Sequence, residues 1–302
     1  MKKGDKAGIV CCSNGLAQTK KEQLKKLETV LQGIGLIPVR GEFIFERDSV
    51  FSGTAQERAE SLMNFYRDPD IKAVFDISGG DIGNEILPYL DFEVISASEK
   101  QFWGYSDLTT VINAIYAKTG KSSVLYQVRN LVGTDGERQI QNFRKSIMDR
   151  NAITDNRFRE SSGYLPDKTD HLFAINVQMI QGKEMEGILA GGNIRCLLKL
   201  AGTPYWPDMN GKILLLEAWH GKLPQMTTFL SQLKQMGVFE QVNGILLGTF
   251  TQMEEEQCVP TMEQLVLQYA GTDLPVAKTY DIGHGKDSKA AVIGQRIQIN
   301  EM

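Results

Sequence analysis

Histidine is scarce in this chain: His171, His220 and His284 are the only three among 302 residues. A mechanism that needs an imidazole base therefore has three places to find one. Cysteine is nearly as scarce, with Cys11, Cys12, Cys196 and Cys258. Two are adjacent and no C-x-x-C pair occurs, which argues against a disulfide framework and against a zinc site of the usual spacing, so no metal is expected. No basic tract or arginine-rich arm is present and the net charge is -4; nucleic acid is not an expected partner. Long apolar runs are missing too. The first, Ala7 to Cys12, is too short for a signal peptide or a membrane span. The expectation is a soluble, cytoplasmic protein with no membrane partner. No internal repeat or low-complexity block is visible.

What is present is a regular alternation. Gly8 to Cys12 reads as a buried strand, and Leu24, Leu27, Leu31 and Ile34 mark one helix face. Thr19 with Glu22 predicts a capping box for that helix, and Thr54 with Glu57 predicts another. Strands follow at Leu36–Val39, Ala73–Ile77 and Phe102–Tyr105. Strands and helices in alternation imply an α/β fold with a mostly parallel sheet. The length suits two domains. We place an N-terminal α/β domain at 1–150, a polar linker at 151–169 that overhangs the site, and a C-terminal domain at 170–302. In the second half, strands are expected at Leu172–Val177, Lys212–Glu217, Gly244–Gly248 and Pro275–Thr279, and a β-hairpin from Ala291 to Ile299.

Ligands of such sheets sit beyond the carboxyl ends of strands. Ser78-Gly79-Gly80-Asp81 and Ser106-Asp107 both follow strands directly. The glycine loop lets backbone N–H groups approach a ligand, although the G-x-G-x-x-G dinucleotide spacing is not met and no cofactor is expected. At Trp103-Gly104-Tyr105-Ser106-Asp107-Leu108, strand, turn and helix follow in close order. That geometry suits a nucleophilic serine whose oxyanion is held by helix amides. The same residues also fit an ordinary helix cap, with Ser-Asp before an apolar run. Three residues stand at strand ends: Ser106, Glu217 and His284. A serine needs a base near neutrality, and the imidazole needs a carboxylate to fix its tautomer. His220, three residues beyond Glu217, is a rival base. His171 opens a strand and reads as structural. Trp103, Trp206 and Trp219 read as core.

Six segments in order bring a resemblance. Gly79-Gly80-Asp81-Ile82-Gly83 runs on to Leu87-Pro88-Tyr89-Leu90-Asp91. Gly104-Tyr105-Ser106-Asp107-Leu108-Thr109 follows. Gly191-Gly192-Asn193 with Gly202-Thr203-Pro204-Tyr205, Ile213 to Glu217, Gly244 to Gly248, and Gly283-His284 complete the set. Together they resemble the LD-carboxypeptidases, serine peptidases that include muramoyl-tetrapeptide carboxypeptidase and the microcin C immunity peptidase. The resemblance implies Ser106 as nucleophile, His284 as base and Glu217 as its orienting carboxylate. It implies an oxyanion hole from the backbone N–H groups of Gly80 and Asp107. The implied fold is a parallel-sheet N-terminal domain with flanking helices and a smaller β-rich α/β C-terminal domain, assembled as a homodimer without metal or cofactor. The implied reaction is hydrolysis of an L,D-amide, such as release of D-Ala from a cytoplasmic murein tetrapeptide in cell-wall recycling, so the expected partner is a small peptide or muropeptide substrate. Two alternatives stand beside it: an aminoacyl-nucleotide substrate, with Trp219 or Tyr164 stacking on the base, and an inactive muropeptide-binding module. The surroundings differ from the family's usual pattern at Ser78 and at Ala218-Trp219-His220-Gly221-Lys222, which bears on substrate more than on chemistry.

Overall fold

The computed structural model describes residues 1–148, 157–160 and 171–300. Its strands are β1 (Lys6–Val10), β2 (Ile37–Arg40), β3 (Ile71–Asp76), β4 (Gln101–Gly104), β5 (Ser123–Leu125), β6 (Arg157–Glu160), β7 (Ala174–Gln181), β8 (Glu184–Asn193), β9 (Lys212–Ala218), β10 (Gly244–Phe250), β11 (Val276–Lys278), β12 (Ala291–Ile293) and β13 (Arg296–Asn300). They form two sheets, ordered β12-β5-β4-β3-β1-β2 and β13-β8-β9-β10-β11-β7-β6. In the first, β1 to β5 are parallel, with helices at Lys21–Ile34, Ala55–Arg67 and Thr109–Thr119. The strand order reverses beside β1 and β3, where such sheets open a crevice.

Local chemistry explains the element ends. Thr54 and Glu57 form the reciprocal box expected of them, and the helix stops at Arg67 before Asp68-Pro69. The helix at Lys21–Ile34 buries Leu24, Leu27, Leu31 and Ile34 and ends on left-handed Gly35. Thr19 does not cap it, because a 3-10 turn at Gln18–Lys20 leads in and Lys20 takes the cap position with no side-chain bond.

The second sheet is mixed. β8, β9, β10 and β11 are parallel neighbours, while β13 and β7 run antiparallel at either side. β7 and β8 are joined only by Gly182 and Lys183, yet three strands stand between them in the sheet. A two-residue turn cannot cross that span at about 4.8 Å per strand, so the sheet must curl toward closure. Its edge strands β13 and β6 accordingly lie against each other. Part of the segment expected as linker is thus a strand, β6; the rest of 149–170 lies outside the described residues.

The expected hairpin from Ala291 to Ile299 is corrected. β12 pairs antiparallel with β5 in the first sheet, and β13 pairs with β8 in the second. Residues next to each other in sequence thus close two different sheets across Gly294. The alternating apolar pattern carries no information on which partner each strand takes. One continuous core joins the halves, with Tyr105, Leu108, Val111 and Ile112 packed in the same cluster as Leu189, Leu215, Ile282 and Ile293. At about 1.5–3 kcal/mol per buried large apolar side chain, the two halves are held as one body.

Candidate active site

β4 ends at Gly104, and the chain turns sharply. Tyr105 is extended, and Ser106 opens a 3-10 turn, Ser106–Leu108, that runs into the helix Thr109–Thr119. Ser106 has φ 57°, the left-handed region that L side chains rarely adopt. A non-glycine residue held there stores about 1–3 kcal/mol, and such strain gathers at functional corners. The turn lifts the hydroxyl off the sheet edge.

His284 Nε2 lies 3.2 Å from Ser106 Oγ, and His284 Nδ1 lies 2.7 Å from Glu217 Oε2. Glu217 ends the run of buried leucines in β9 and is itself fully buried. The Tyr105 hydroxyl, beside the serine in sequence, donates to the same Glu217 oxygen at 3.1 Å. Burial first, and then the nearby Glu217 charge, push the Tyr105 phenol well above its ordinary pKa, so it stays a donor. The three residues singled out from strand ends therefore meet in one line, across sequence separations of 67 and 178 residues. His284 rides on a loop braced by Thr249 N–H to the Ile282 carbonyl (2.8 Å). A Cβ on Gly283 would stand 1.7 Å from Thr249 Oγ1, so only glycine lets the loop approach β10 this closely.

The two amides expected at the oxyanion hole lie on the same edge. Gly80 lines the cavity with Ser106, with φ 114° and Asn14 so close that a Cβ would meet its side chain at 2.1 Å. Asp107 follows Ser106 in the first turn. Its side chain has a role that composition and spacing gave no sign of. Fully buried, it accepts from Ser13 Oγ (2.7 Å), from Gly83 N–H (2.6 Å) and from Lys199 Nζ. One carboxylate thus pins together the loops after β1, β3 and β4. On the other side, Asn113 clamps the Gly191 backbone with two bonds of 2.9 Å, and Asn193 N–H donates to Thr109 Oγ1 at 3.0 Å. The nucleophile helix and the Gly-Gly-Asn segment are held in fixed register.

A cavity of about 700 Å³ opens over the serine. Its wall includes Asn14, Gly80, Arg129, Arg195, Trp219 and His284. Trp103 is core, as expected, and Trp206 packs half-buried against the two other apolar clusters of the molecule. Trp219 is not core. It is 53% exposed, lines the cavity and stacks on His220 (4.4 Å) and on His284 (5.6 Å, 16° between planes). His220, the rival base, is exposed against Trp219, while His284 holds the bond to the serine. His171 lies away from the cavity, where Phe173 N–H donates to its Nδ1 at 3.4 Å. Among the described residues no group of three or more His, Cys, Asp or Glu side chains is placed to hold a metal ion.

Models of the LD-carboxypeptidase N-terminal domain and C-terminal domain match residues 7–126 and 186–299. The chain belongs to the LD-carboxypeptidase family. Membership makes it a serine-type carboxypeptidase hydrolase. A probable murein peptide carboxypeptidase of Bacillus subtilis is 29% identical over 311 residues, covering 99% of this chain and 90% of that one. The microcin C7 self-immunity protein MccF of Escherichia coli is 27% identical over 317 residues, covering 98% and 91%. A solved structure of MccF in complex with aspartyl sulfamoyl adenosine superposes with a TM-score of 0.83 at 24% identity, over 99% of this chain and 94% of that chain. This likeness shows the two-domain α/β architecture of the family in the present chain.

Proposed function

We propose that this LD-carboxypeptidase hydrolyses the L,D-amide of a murein tetrapeptide and releases its terminal D-Ala. The observation that carries the reading is the Ser106–His284–Glu217 line at the floor of a peptide-sized cavity. In this reading His284 Nε2 accepts the Ser106 hydroxyl proton as Oγ attacks the scissile carbonyl. Glu217 fixes the tautomer through Nδ1–H and balances the imidazolium charge. The N–H groups of Asp107 and Gly80 receive the oxyanion. His284 then protonates the leaving amine, and water admitted in its place hydrolyses the acyl-enzyme by the same route. The name of the Bacillus subtilis relative and the cavity's peptide scale support the murein substrate.

The proposed setting is the cytoplasm, where murein fragments are recycled. All four cysteines are free, as a reducing compartment would keep them. The proposed assembly is a homodimer, measurable by light scattering. The primary test is release of D-Ala from L-Ala-D-Glu-diamino acid-D-Ala, followed by mass spectrometry with Ser106→Ala alongside. Release by the wild type alone supports the reading; equal release by both refutes it.

Trp219 favours one second reading. A largely exposed indole on the cavity wall is a stacking platform for a nucleobase. The MccF structure holds an adenosine-bearing ligand, so an aminoacyl-nucleotide amide is the alternative substrate. Hydrolysis of aspartyl sulfamoyl adenosine at a higher kcat/KM than the tetrapeptide, lost in Trp219→Ala, would establish it.

A further inference from the structure

Two arginines stand on the cavity wall, and they are treated differently. Arg195 is paired with Asp81 and also donates to the Gly80 carbonyl at 3.1 Å. Arg129 has no carboxylate partner among the described residues, and its Nε is buried without a hydrogen bond. Asp76 is the buried acid near it, but both Asp76 oxygens are taken. Oδ2 accepts from Cys12 N–H (2.8 Å), and Oδ1 accepts from Ser78 N–H (2.7 Å) and Oγ (2.5 Å). Burial acts against the Arg129 charge and lowers its proton affinity below the ordinary arginine value. The Asp76 charge offsets part of that cost without bonding the guanidinium, and an anion arriving at hydrogen-bond distance would relieve the rest.

The position is specific. A Cβ on Gly79 would lie 3.8 Å from Arg129 Nη2, so the guanidinium stands beside the loop that carries Gly80. A substrate whose carbonyl oxygen faces Gly80 places the next chain atoms about 3.8 Å farther on, one residue's reach. In a peptide cut at its last bond, that next group is the terminal carboxylate.

We propose that Arg129 receives the α-carboxylate of the substrate's last residue and thereby confines the enzyme to terminal cleavage. This rests on reading the site as that of a carboxypeptidase. The planar guanidinium can give a carboxylate two parallel N–H bonds, which a backbone amide of an uncut chain cannot accept in the same way.

The test is calorimetric. Full-length Ser106→Ala is titrated with L-Ala-D-Glu-diamino acid-D-Ala and with its C-terminal amide. The acid is expected to bind about 10- to 100-fold tighter than the amide, the range of a charged hydrogen-bond pair. Adding Arg129→Gln should bring the two within about 3-fold. Adding Arg129→Lys should keep part of the preference, since a point charge remains. A preference that survives Arg129→Gln overturns the proposal, as does equal binding, or no binding, of the two peptides by Ser106→Ala. If Arg129→Gln does not fold, Arg129→Lys decides: an unchanged preference overturns it. Wild-type turnover measured alongside separates the two readings. D-Ala release with a preference independent of Arg129 removes only the role of Arg129, whereas no release removes the carboxypeptidase reading itself.

Discussion

Replacing Glu217 by Gln tests the Ser106–His284–Glu217 line most directly, because shape is kept and only charge and donor pattern change. Glu217 is fully buried, with Oε2 held by His284 Nδ1 at 2.7 Å and by the Tyr105 hydroxyl at 3.1 Å. A glutamine there has one oxygen and one NH2. Both Tyr105 and His284 meet the Oε2 position, while the Oε1 position has no partner, so an NH2 at Oε1 would bury two unpaired donors. Placed at Oε2 instead, the NH2 gives one N–H to the Tyr105 phenol oxygen and the other to His284 Nδ1, which must become the acceptor. The proton moves to Nε2, and the imidazole now points a donor at Ser106 Oγ, 3.2 Å away. It can no longer take the serine proton, nor is the imidazolium balanced by a carboxylate. Loss of a correctly held tautomer costs about 10³- to 10⁴-fold in kcat, or roughly 4–5.5 kcal/mol of barrier. Substrate does not touch Glu217, so KM should stay within about 3-fold. Folding stability should hold or rise slightly, since a neutral amide replaces a buried charge whose Oε1 has no partner. The assay is D-Ala release across a substrate series, with thermal melting on the same samples. A kcat within 10-fold of wild type would refute the reasoning and move the base to another residue.

Four further outcomes follow from the same geometry. Tyr105→Phe removes one bond to a charged group, worth about 1.5–3 kcal/mol, and should lower Tm by a few degrees while kcat falls about 10-fold, far less than in Glu217→Gln; equal losses would mean the tyrosine acts on substrate. Ser106→Gly should abolish turnover yet raise stability by about 0.5–2 kcal/mol in urea melts, because relief of the φ 57° strain exceeds glycine's unfolded-state entropy; a destabilised variant would show the corner is not strained. Lys199→Met strips the cation from buried Asp107, which keeps Ser13 and Gly83 as donors, so a loss of about 2–4 kcal/mol is expected, checked by chemical denaturation. Lys278→Met tests a pH window. Burial opposes ionisation of Glu263, but Lys278 at 2.8 Å wins and holds its pKa below the ordinary 4.5. Such a depressed carboxylate stabilises the fold above pH 4.5 and loses that contribution as pH falls through the folded value. Wild-type Tm should therefore fall in acid below pH 4.5, while Lys278→Met starts lower at pH 7 and changes less over that window.

What was legible in the sequence was whatever depends on neighbours a few residues away. The box at Thr54 and Glu57, the helix face of Leu24, Leu27, Leu31 and Ile34, and the strand ending in Glu217 are local, and each is found where periodicity and capping chemistry place it. Ser106, Glu217 and His284 stood out because each ends or follows a strand; Glu217 and His284 share the carboxyl edge of the second sheet, and only the packing of the two sheets brings Ser106 to them from the first. The failures share the opposite character. Thr19 with Glu22 satisfies the same box rule as Thr54 with Glu57, but a 3-10 turn takes the helix start one residue on, which the pattern does not encode. The final strands alternate correctly, yet which sheet each joins is decided by the core that Ile293 and Ile297 enter together from opposite sides of Gly294. Trp219 read as core because aromatic residues after buried strands usually are. It stands exposed on the cavity wall instead, stacked on neighbouring His220 and, across 65 residues, on His284. Arg129 and the Asp107 carboxylate were silent for the same reason: a lone arginine in a loop and an acid at a helix start are ordinary on the page of sequence. They become informative only when the fold leaves the first without a hydrogen-bonded anion and surrounds the second with donors from three loops. Charge balance, unlike periodicity, is a property of the assembled site. The residues that set substrate choice are therefore the ones that composition and spacing describe least.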